Sequence, residues 1–344
     1  MTETDRLLRE ALPTLLLGAA GAALFWAVGF PAAVITGPAA VVSIATIMGL
    51  RSHIPARLRD AVLLVLGVSI GSTVTPEVIE TALTWPVSLA VLSATLLIVM
   101  VTVRTILMRV FAQDRMTALL SAMPGHLSYV LGLSTELRAD VPQVALVQSV
   151  RVLLLTLLVP VLVSFWGAEG TSAPPDPGTS SAMSAAAVFC AALLLGLVFR
   201  RFGVPAPLLL GGIAASAFGH GADLTPGALP GWATTVAFVV MGSLIGTRFR
   251  GLARQGLIRG FAAGVVVTLL SSAIAALGAV LTAEIVHLPP AALLLAFAPG
   301  GVEVMAALAV ETSLEPAFVA AHHVFRLVLL SIVVPVVLSR EKRR

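Results

Sequence analysis

Twelve apolar stretches, most of them about twenty residues long and poor in charge, follow one another along this chain. They lie near 11–30, 32–50, 58–75, 84–108, 116–135 and 143–166, and again near 182–202, 205–222, 228–247, 257–285, 290–312 and 317–339. A helix of about twenty apolar residues spans the hydrocarbon core of a bilayer, and a helix satisfies its own backbone polar groups there. Composition excludes the soluble alternative. Hydrophobic residues make up 58% of the 344 positions and charged residues 11%, whereas a soluble domain carries about a quarter charged residues. The mean hydropathy is +1.03. The expected fold class is an all-α polytopic membrane protein. The formal net charge of +4 is then a property of cytoplasmic loops rather than of a nucleic-acid surface. Met1–Glu10 with the long apolar run behind it reads as a retained first helix, not a cleaved leader. The single cysteine, Cys190, excludes a disulfide framework and reads as a packing residue.

The two sets of six stretches repeat each other. A shift of 175 residues places Gly67 on Gly242, Gly71 on Gly246, Pro124-Gly125 on Pro299-Gly300, Glu136 on Glu311, Arg151 on Arg326 and Pro160 on Pro335. A shift of 174 places Gly29, Pro31 and Gly37 on Gly203, Pro205 and Gly211. The domain reading is a membrane repeat over 11–166, an extracytoplasmic linker over 167–181 (GAEGTSAPPDPGTSS from Gly167) and a second membrane repeat over 182–339.

The fifth stretch of each half is broken by Pro-Gly, and each arm of about eight residues rises only about 12 Å, roughly to the bilayer midplane. Such a stretch either crosses or turns back. If both turn back and the N-terminus is cytoplasmic, nineteen of the twenty-one Lys and Arg residues fall on the cytoplasmic side, the other two being Arg151 and Arg326. The outer loops then hold acids, such as Glu77, Glu169, Asp176 and Glu315, and no base. If both cross, the Arg248–Arg259 cluster moves outside, against the cytoplasmic excess of positive charge. Each half is therefore expected to be five transmembrane helices plus one Pro-Gly re-entrant hairpin. Five is odd, so the two repeats have inverted topology, an architecture of secondary transporters. The expected location is the cell inner (plasma) membrane, with both termini cytoplasmic.

Ionisable groups inside a span are costly, about 2.5–3.5 kcal/mol for Arg on the insertion scale. Arg151 and Arg326 occupy duplicated positions within their spans. They read either as braces for the free carbonyls of the broken hairpins or as direct ligands. The helices that start after Pro124-Gly125 and Pro299-Gly300 aim their N-termini at the midplane, which favours an anionic group. The candidate substrate-binding set is Pro124, Gly125, His126, Ser128 and Arg151 with Pro299, Gly300, Gly301, Glu303 and Arg326. Glu303 has Ser128 as its repeat partner, while His322 and His323 have Val147 and Gln148. A symmetric frame with an asymmetric set of titratable groups suits coupling to H⁺ or Na⁺, with Glu303, His322 and His323 as candidates. Glu303 paired simply with Arg326 is the plainer alternative. Thr36-Gly37-Pro38 and Gly211-Gly212 either line the same cavity or serve close helix packing. No Walker loop, catalytic triad or metal-ligand spacing is present, so neither an enzyme, a cofactor nor a metal is expected.

With the duplicated Pro-Gly hairpin, the Gly-Pro break and the late intramembrane Arg, the chain resembles the AbrB-type family of duplicated integral membrane proteins, from about Pro13 to Pro335. The family pattern looks like Pro-Gly-Gly followed closely by an acid and Met. Residues Pro299-Gly300-Gly301-Val302-Glu303-Val304-Met305 fit it, while Pro124-Gly125-His126-Leu127-Ser128 lacks the second Gly and the acid. The resemblance implies labels such as regulator of gene expression or ammonia monooxygenase. The residues themselves favour a secondary transporter or exporter of a small anionic solute, coupled to a cation. A membrane sensor that regulates gene expression through a partner is the second reading, and a membrane monooxygenase the third. The expected partners are the lipid bilayer, the solute and the coupling H⁺ or Na⁺, with a homodimer compatible and no nucleic acid.

Overall fold

The computed structural model describes residues 3–125, 127–165, 178–251, 257–286 and 289–341. His126, most of the 167–181 linker, Arg254 and His287 lie outside the described residues, as does the side chain of Ser128. The first half runs α1 (Glu3–Ala27), α2 (Ala33–Ile47), α3 (Ala56–Gly71), the short α4 (Pro76–Thr81) with a 3₁₀ turn at Ala82–Thr84, α5 (Trp85–Val110), α6 (Arg115–Ala122), α7 (Leu127–Glu136) and α8 (Val141–Phe165). The second half runs α9 (Ala182–Arg201), α10 (Pro207–Gly221), α11 (Gly231–Thr247), α12 (Leu257–Val286), α13 (Pro290–Phe297), α14 (Val302–Glu311) and α15 (Pro316–Glu341). The described residues contain no strand, only an isolated bridge between Thr179 and Ala228.

Six helices are long and apolar enough to cross a membrane: Arg9–Ala27, Pro76–Val110, Val141–Phe165, Ala182–Arg201, Ile258–Val286 and Pro316–Leu338. Of the ten expected crossings, the other four correspond to α2, α3, α10 and α11, which are only 15, 16, 15 and 17 residues long. These short helices rise about 22–26 Å each. Glycine lets them lie very close together. A methyl built on Gly37 meets the Gly21 oxygen at 2.2 Å, and one on Gly211 meets the Gly196 nitrogen at 2.4 Å. A methyl on Gly67 meets the Leu209 oxygen at 2.3 Å, and one on Gly242 the Ile35 oxygen at 2.3 Å. The glycine breaks of the second stretches are therefore points where backbones touch, and α2 runs through Pro38 without ending. Cys190, expected as packing, is exposed on the outer helix α9.

Both Pro-Gly stretches break as expected. Helix α6 stops at Ala122 because Met123 turns extended (ψ 121°) ahead of Pro124, as a residue preceding proline prefers. Ala298 does the same (ψ 135°) ahead of Pro299. In the first hairpin the Asp140 amide, past the end of α7, donates to Thr117 Oγ1 near the start of α6 at 2.9 Å. The exit of that hairpin thus lies beside its entry.

The entry itself is capped by Asp114, whose Oδ1 accepts from the Met116 and Thr117 amides at 3.0 Å each. Partial burial acts to raise its pKa, but the hydrogen bonds from Thr117 and Met116 outweigh it, and the carboxyl sits below its ordinary 3.8. The cap is then fully formed above the ordinary value and is lost as pH falls through the depressed one. Asp114→Ala is expected to cost about 1 kcal/mol of stability at neutral pH. The difference from wild type should vanish in unfolding curves taken below the pKa, and a difference that persists there means the cap is not the cause.

Candidate functional site

Helix α8 presents Arg151 and α15 presents Arg326 to the hairpin breaks, both buried at 1% and 2% exposure. Arg326 Nη1 donates to the Ala298 carbonyl at 2.7 Å, and its Nη2 donates to the Gly300 carbonyl. Arg151 Nη1 donates to the Met123 carbonyl at 3.2 Å, and its Nη2 donates to Gln148 Oε1. Carbonyls at a helix C-terminus lack intrahelical donors and carry the negative end of the helix dipole. Each guanidinium therefore meets the charge that the short arm before the break creates. Each also keeps its Nε without a partner among the described residues.

One turn before each arginine a second donor reaches the same arm. Gln148 Nε2 donates to the Leu120 and Met123 carbonyls at 2.9 Å each. His323 Nε2 donates to the Leu295 carbonyl at 3.0 Å. Its Nδ1 is buried without a partner among the described residues. His322 faces elsewhere. Its Nδ1 donates to the Phe318 carbonyl at 2.9 Å, its Nε2 meets Ser88 Oγ at 2.8 Å, and its ring lies among Trp85, Phe297 and Phe318 where α5 meets α15.

Glu303 is the second residue of α14, behind the N-cap Gly301. Its ion-pair partner is Arg248, the C-cap of α11, with Nη2 to Oε1 at 3.3 Å. This corrects two expectations at once. Arg326 gives its hydrogen bonds to backbone carbonyls rather than to Glu303, which acts on it only as a nearby opposite charge. Arg248, expected among the loop bases, has a side chain only 13% exposed. The pairing follows from geometry, because α11 is short enough for its C-terminal side chain to turn inward to the tip of the second hairpin.

That ion pair forms the floor of a cavity of about 800 Å³. Leu127 and Tyr129 of α7 also reach it, so both hairpin tips contribute. The mouth is lined by Arg59, Asp60 and Arg200. Asp60 accepts from Arg59 at 2.8 Å and from Arg200 at 2.7 Å, and the two arginine side chains are 46% and 51% exposed. Exposure falls from there to 8% at Glu303, which sets the direction of the cavity from mouth to floor. Among the described residues, Glu303 is the one expected site residue that lines it. Pro124, Gly125, Arg151, Pro299, Gly300, Gly301, Arg326 and His323 form the framework around or behind the hairpin tips, and His322 lies apart from them beside Ser88 and Trp85. Sequence reasoning does not single out Arg248, Tyr129, Arg59, Asp60 or Arg200. An acid inside an apolar stretch (Asp60) and the chain's one tyrosine are the signals it offers.

Sequence comparison places this architecture among known chains. The family described as "Transition state regulatory protein AbrB" matches residues 34–340. "Uncharacterized protein YhjN" of Bacillus subtilis (strain 168) is 30% identical over 249 residues, 67% of this chain, and the match spans 64% of that relative's length. "Putative regulator AbrB" of Escherichia coli (strain K12) is 26% identical over 310 residues, 88% of each chain. With an all-helical fold, span-length helices and a family match from the second helix to the last, the chain belongs to the AbrB family.

Proposed function

We propose that this chain is a secondary transporter of a small anionic solute, coupled to a cation, built as two inverted repeats around the hairpin tips. The carrying observation is the cavity of about 800 Å³ that ends on Glu303 and Arg248 at the start of α14. Its lining holds three arginines, Arg59, Arg200 and Arg248, against two acids, Asp60 and Glu303. An anion suits that excess. The unpartnered Nε groups of Arg151 and Arg326 are further donors behind the tips.

The repeat reading is supported by equivalent positions that share conformation and exchange contacts. Gly29 and Gly203 have φ of 71° and 68°, Ala32 and Ala206 of 50° and 46°, and Arg138 and Ser313 of 53° and 54°. Gly67 packs on Leu209 while its counterpart Gly242 packs on Ile35, the counterpart of Leu209. Arg151 binds the Met123 carbonyl and Arg326 that of Ala298, 175 residues on. Helix α2 packs on α11 and α3 on α10, each pair the exchange of the other. On this reading the cavity mouth faces the cytoplasm, which the excess of basic residues on that side of an inverted repeat supports.

The test has two arms. Purified protein in proteoliposomes should catalyse uptake or counterflow of at least one radiolabelled small organic anion, and flux absent across a broad panel sinks the transport reading. Single cysteines at Arg57 and Thr179, in a chain with Cys190 replaced by serine, should be labelled from opposite sides of the membrane. Labelling of both from one side sinks the inverted topology. The name of the Escherichia coli relative favours a second reading, a regulator acting through a partner. Ligand binding without any flux is the result that supports it.

A further inference from the structure

The floor of the cavity already has what recognises a carboxylate, and the chain's own carboxylate occupies it. Glu303 lies in the first turn of α14, where the helix dipole favours negative charge. Arg248 meets it at 3.3 Å, and a guanidinium–carboxylate contact of this kind is charge-assisted. At the mouth, Asp60 engages both Arg59 and Arg200. Arg248 is therefore the guanidinium an incoming anion reaches at the deep end, and Glu303 stands on it. Two carboxylates sharing one such site repel unless one is neutralised.

We propose that the solute is a carboxylate that replaces Glu303 on Arg248, and that Glu303 gives up the arginine by taking a proton, so that one proton enters with each carboxylate. This rests on the anion-transport reading above and adds the coupling ion and the exchange that couples it. The balance is simple. A proton binds a Glu303 carboxylate oxygen, the Arg248 N–H bond to Glu303 is lost, and Arg248 donates instead to the solute carboxylate. The net charge of the floor is the same before and after. Sodium fits poorly, since it has to enter beside a guanidinium already in contact with the carboxylate, whereas a proton binds the oxygen itself.

Among the described residues, the charged and titratable groups on the surrounding elements do not offer a rival pair. From α15 come Arg326, bound to the Ala298 and Gly300 carbonyls, His323, bound to the Leu295 carbonyl, and His322, held at Ser88 and Phe318. From α8 comes Arg151, bound to Met123 and Gln148. From α3 and α9 come Arg59, Asp60 and Arg200, which bind one another at the mouth. Helix α7 brings Tyr129, and Glu311 sits at the far end of α14. The repeat counterparts of Glu303 and Arg248 are Ser128 and Thr73, neither of which titrates in this range. One such pair among the described residues gives a ratio of one proton.

The full-length protein in detergent, weakly buffered with a pH-indicator dye, is mixed with acetate, lactate or succinate while binding is followed by thermal shift. Wild type should take up about one proton per carboxylate bound, and its affinity should weaken about tenfold per pH unit above the titration of Glu303. Glu303→Gln should bind with no proton uptake and an affinity flat in pH. Arg248→Met should lose binding while remaining folded. Carboxylate binding by wild type without proton uptake at every pH from about 5 to about 9 overturns the proposal and leaves the anion reading standing, as does binding that needs Na⁺ and ignores pH. Failure of every carboxylate to bind, at any pH, overturns both. Should Glu303→Gln fail to fold, the wild-type proton count alone decides.

Discussion

Replacing Arg326 with methionine is expected to destabilise the purified protein by about 2–6 kcal/mol, more than the same change at Arg151. Both side chains are almost fully buried, so the desolvation relieved by removing the charge is similar. What differs is the set of acceptors left behind. Without Arg326 the Ala298 and Gly300 carbonyls lose its two bonds, and an orphaned buried acceptor costs about 1–3 kcal/mol. Without Arg151 the Met123 carbonyl keeps its bond from Gln148 Nε2, and only Gln148 Oε1 loses a partner. Denaturant unfolding in detergent measures the difference, and equal losses, or a larger one at Arg151, contradict the bracing geometry. Lysine at either position keeps a charge but not the planar fork. If Arg326→Lys or Arg151→Lys folds and still binds the anion normally, the direct-ligand role of that arginine is wrong and bracing is its whole contribution.

Gly37→Leu and Gly211→Leu are each expected to abolish folding, and the corresponding alanine variants to lose about 1–3 kcal/mol or more. At both positions the first atom met by a new methyl is backbone of the neighbouring helix: Gly21 at 2.2 Å and Gly196 at 2.4 Å. Backbone cannot rotate away as a side chain does, so the helices must separate, and overpacked interiors lose stability on this scale. Separation is costly here because α2 and α10 also touch α11 and α3 at Gly242 and Gly67. Gly132→Ala is the control. Nothing lies within 4 Å of its added methyl, and it sits inside α7. There alanine should be neutral or stabilising by about 0.5–1 kcal/mol. Comparable losses at Gly37, Gly211 and Gly132 rule out the crossing contacts as the cause.

Much of the framework is legible in the order of the amino acids, because it depends on local chemistry. Span-length apolar runs mark α1, α5, α8, α9, α12 and α15. The breaks at Pro124 and Pro299 follow from the backbone restriction proline imposes on the residue before it. The recurrence of Gly, Pro and Arg at shifts of 174 and 175 residues points to equivalent roles, and Arg151 and Arg326 do bind equivalent carbonyls. The short crossing helices are less clear. The starts of α2 and α10 are set by turns at Gly29 and Gly203 and by positive-φ residues Ala32 and Ala206, and an alanine does not advertise that conformation.

What only the tertiary structure decided was which faces of these helices meet. In a helix that is apolar all round, periodicity does not say which side points inward. Rotation about the axis is fixed by packing against other helices, here through glycine contacts between segments far apart in sequence. That rotation carries Arg248 from the end of α11 to Glu303, 55 residues away, and turns Tyr129 toward the same cavity. It also directs the hydrogen bonds of Arg326 to the Ala298 and Gly300 carbonyls. The sequence alone determined that the chain forms helices long and apolar enough to cross a membrane, where it breaks, and which two arginines lie inside them. The pairing of charges was decided by helix packing, because a buried ion pair depends on distances between helices that no local pattern encodes.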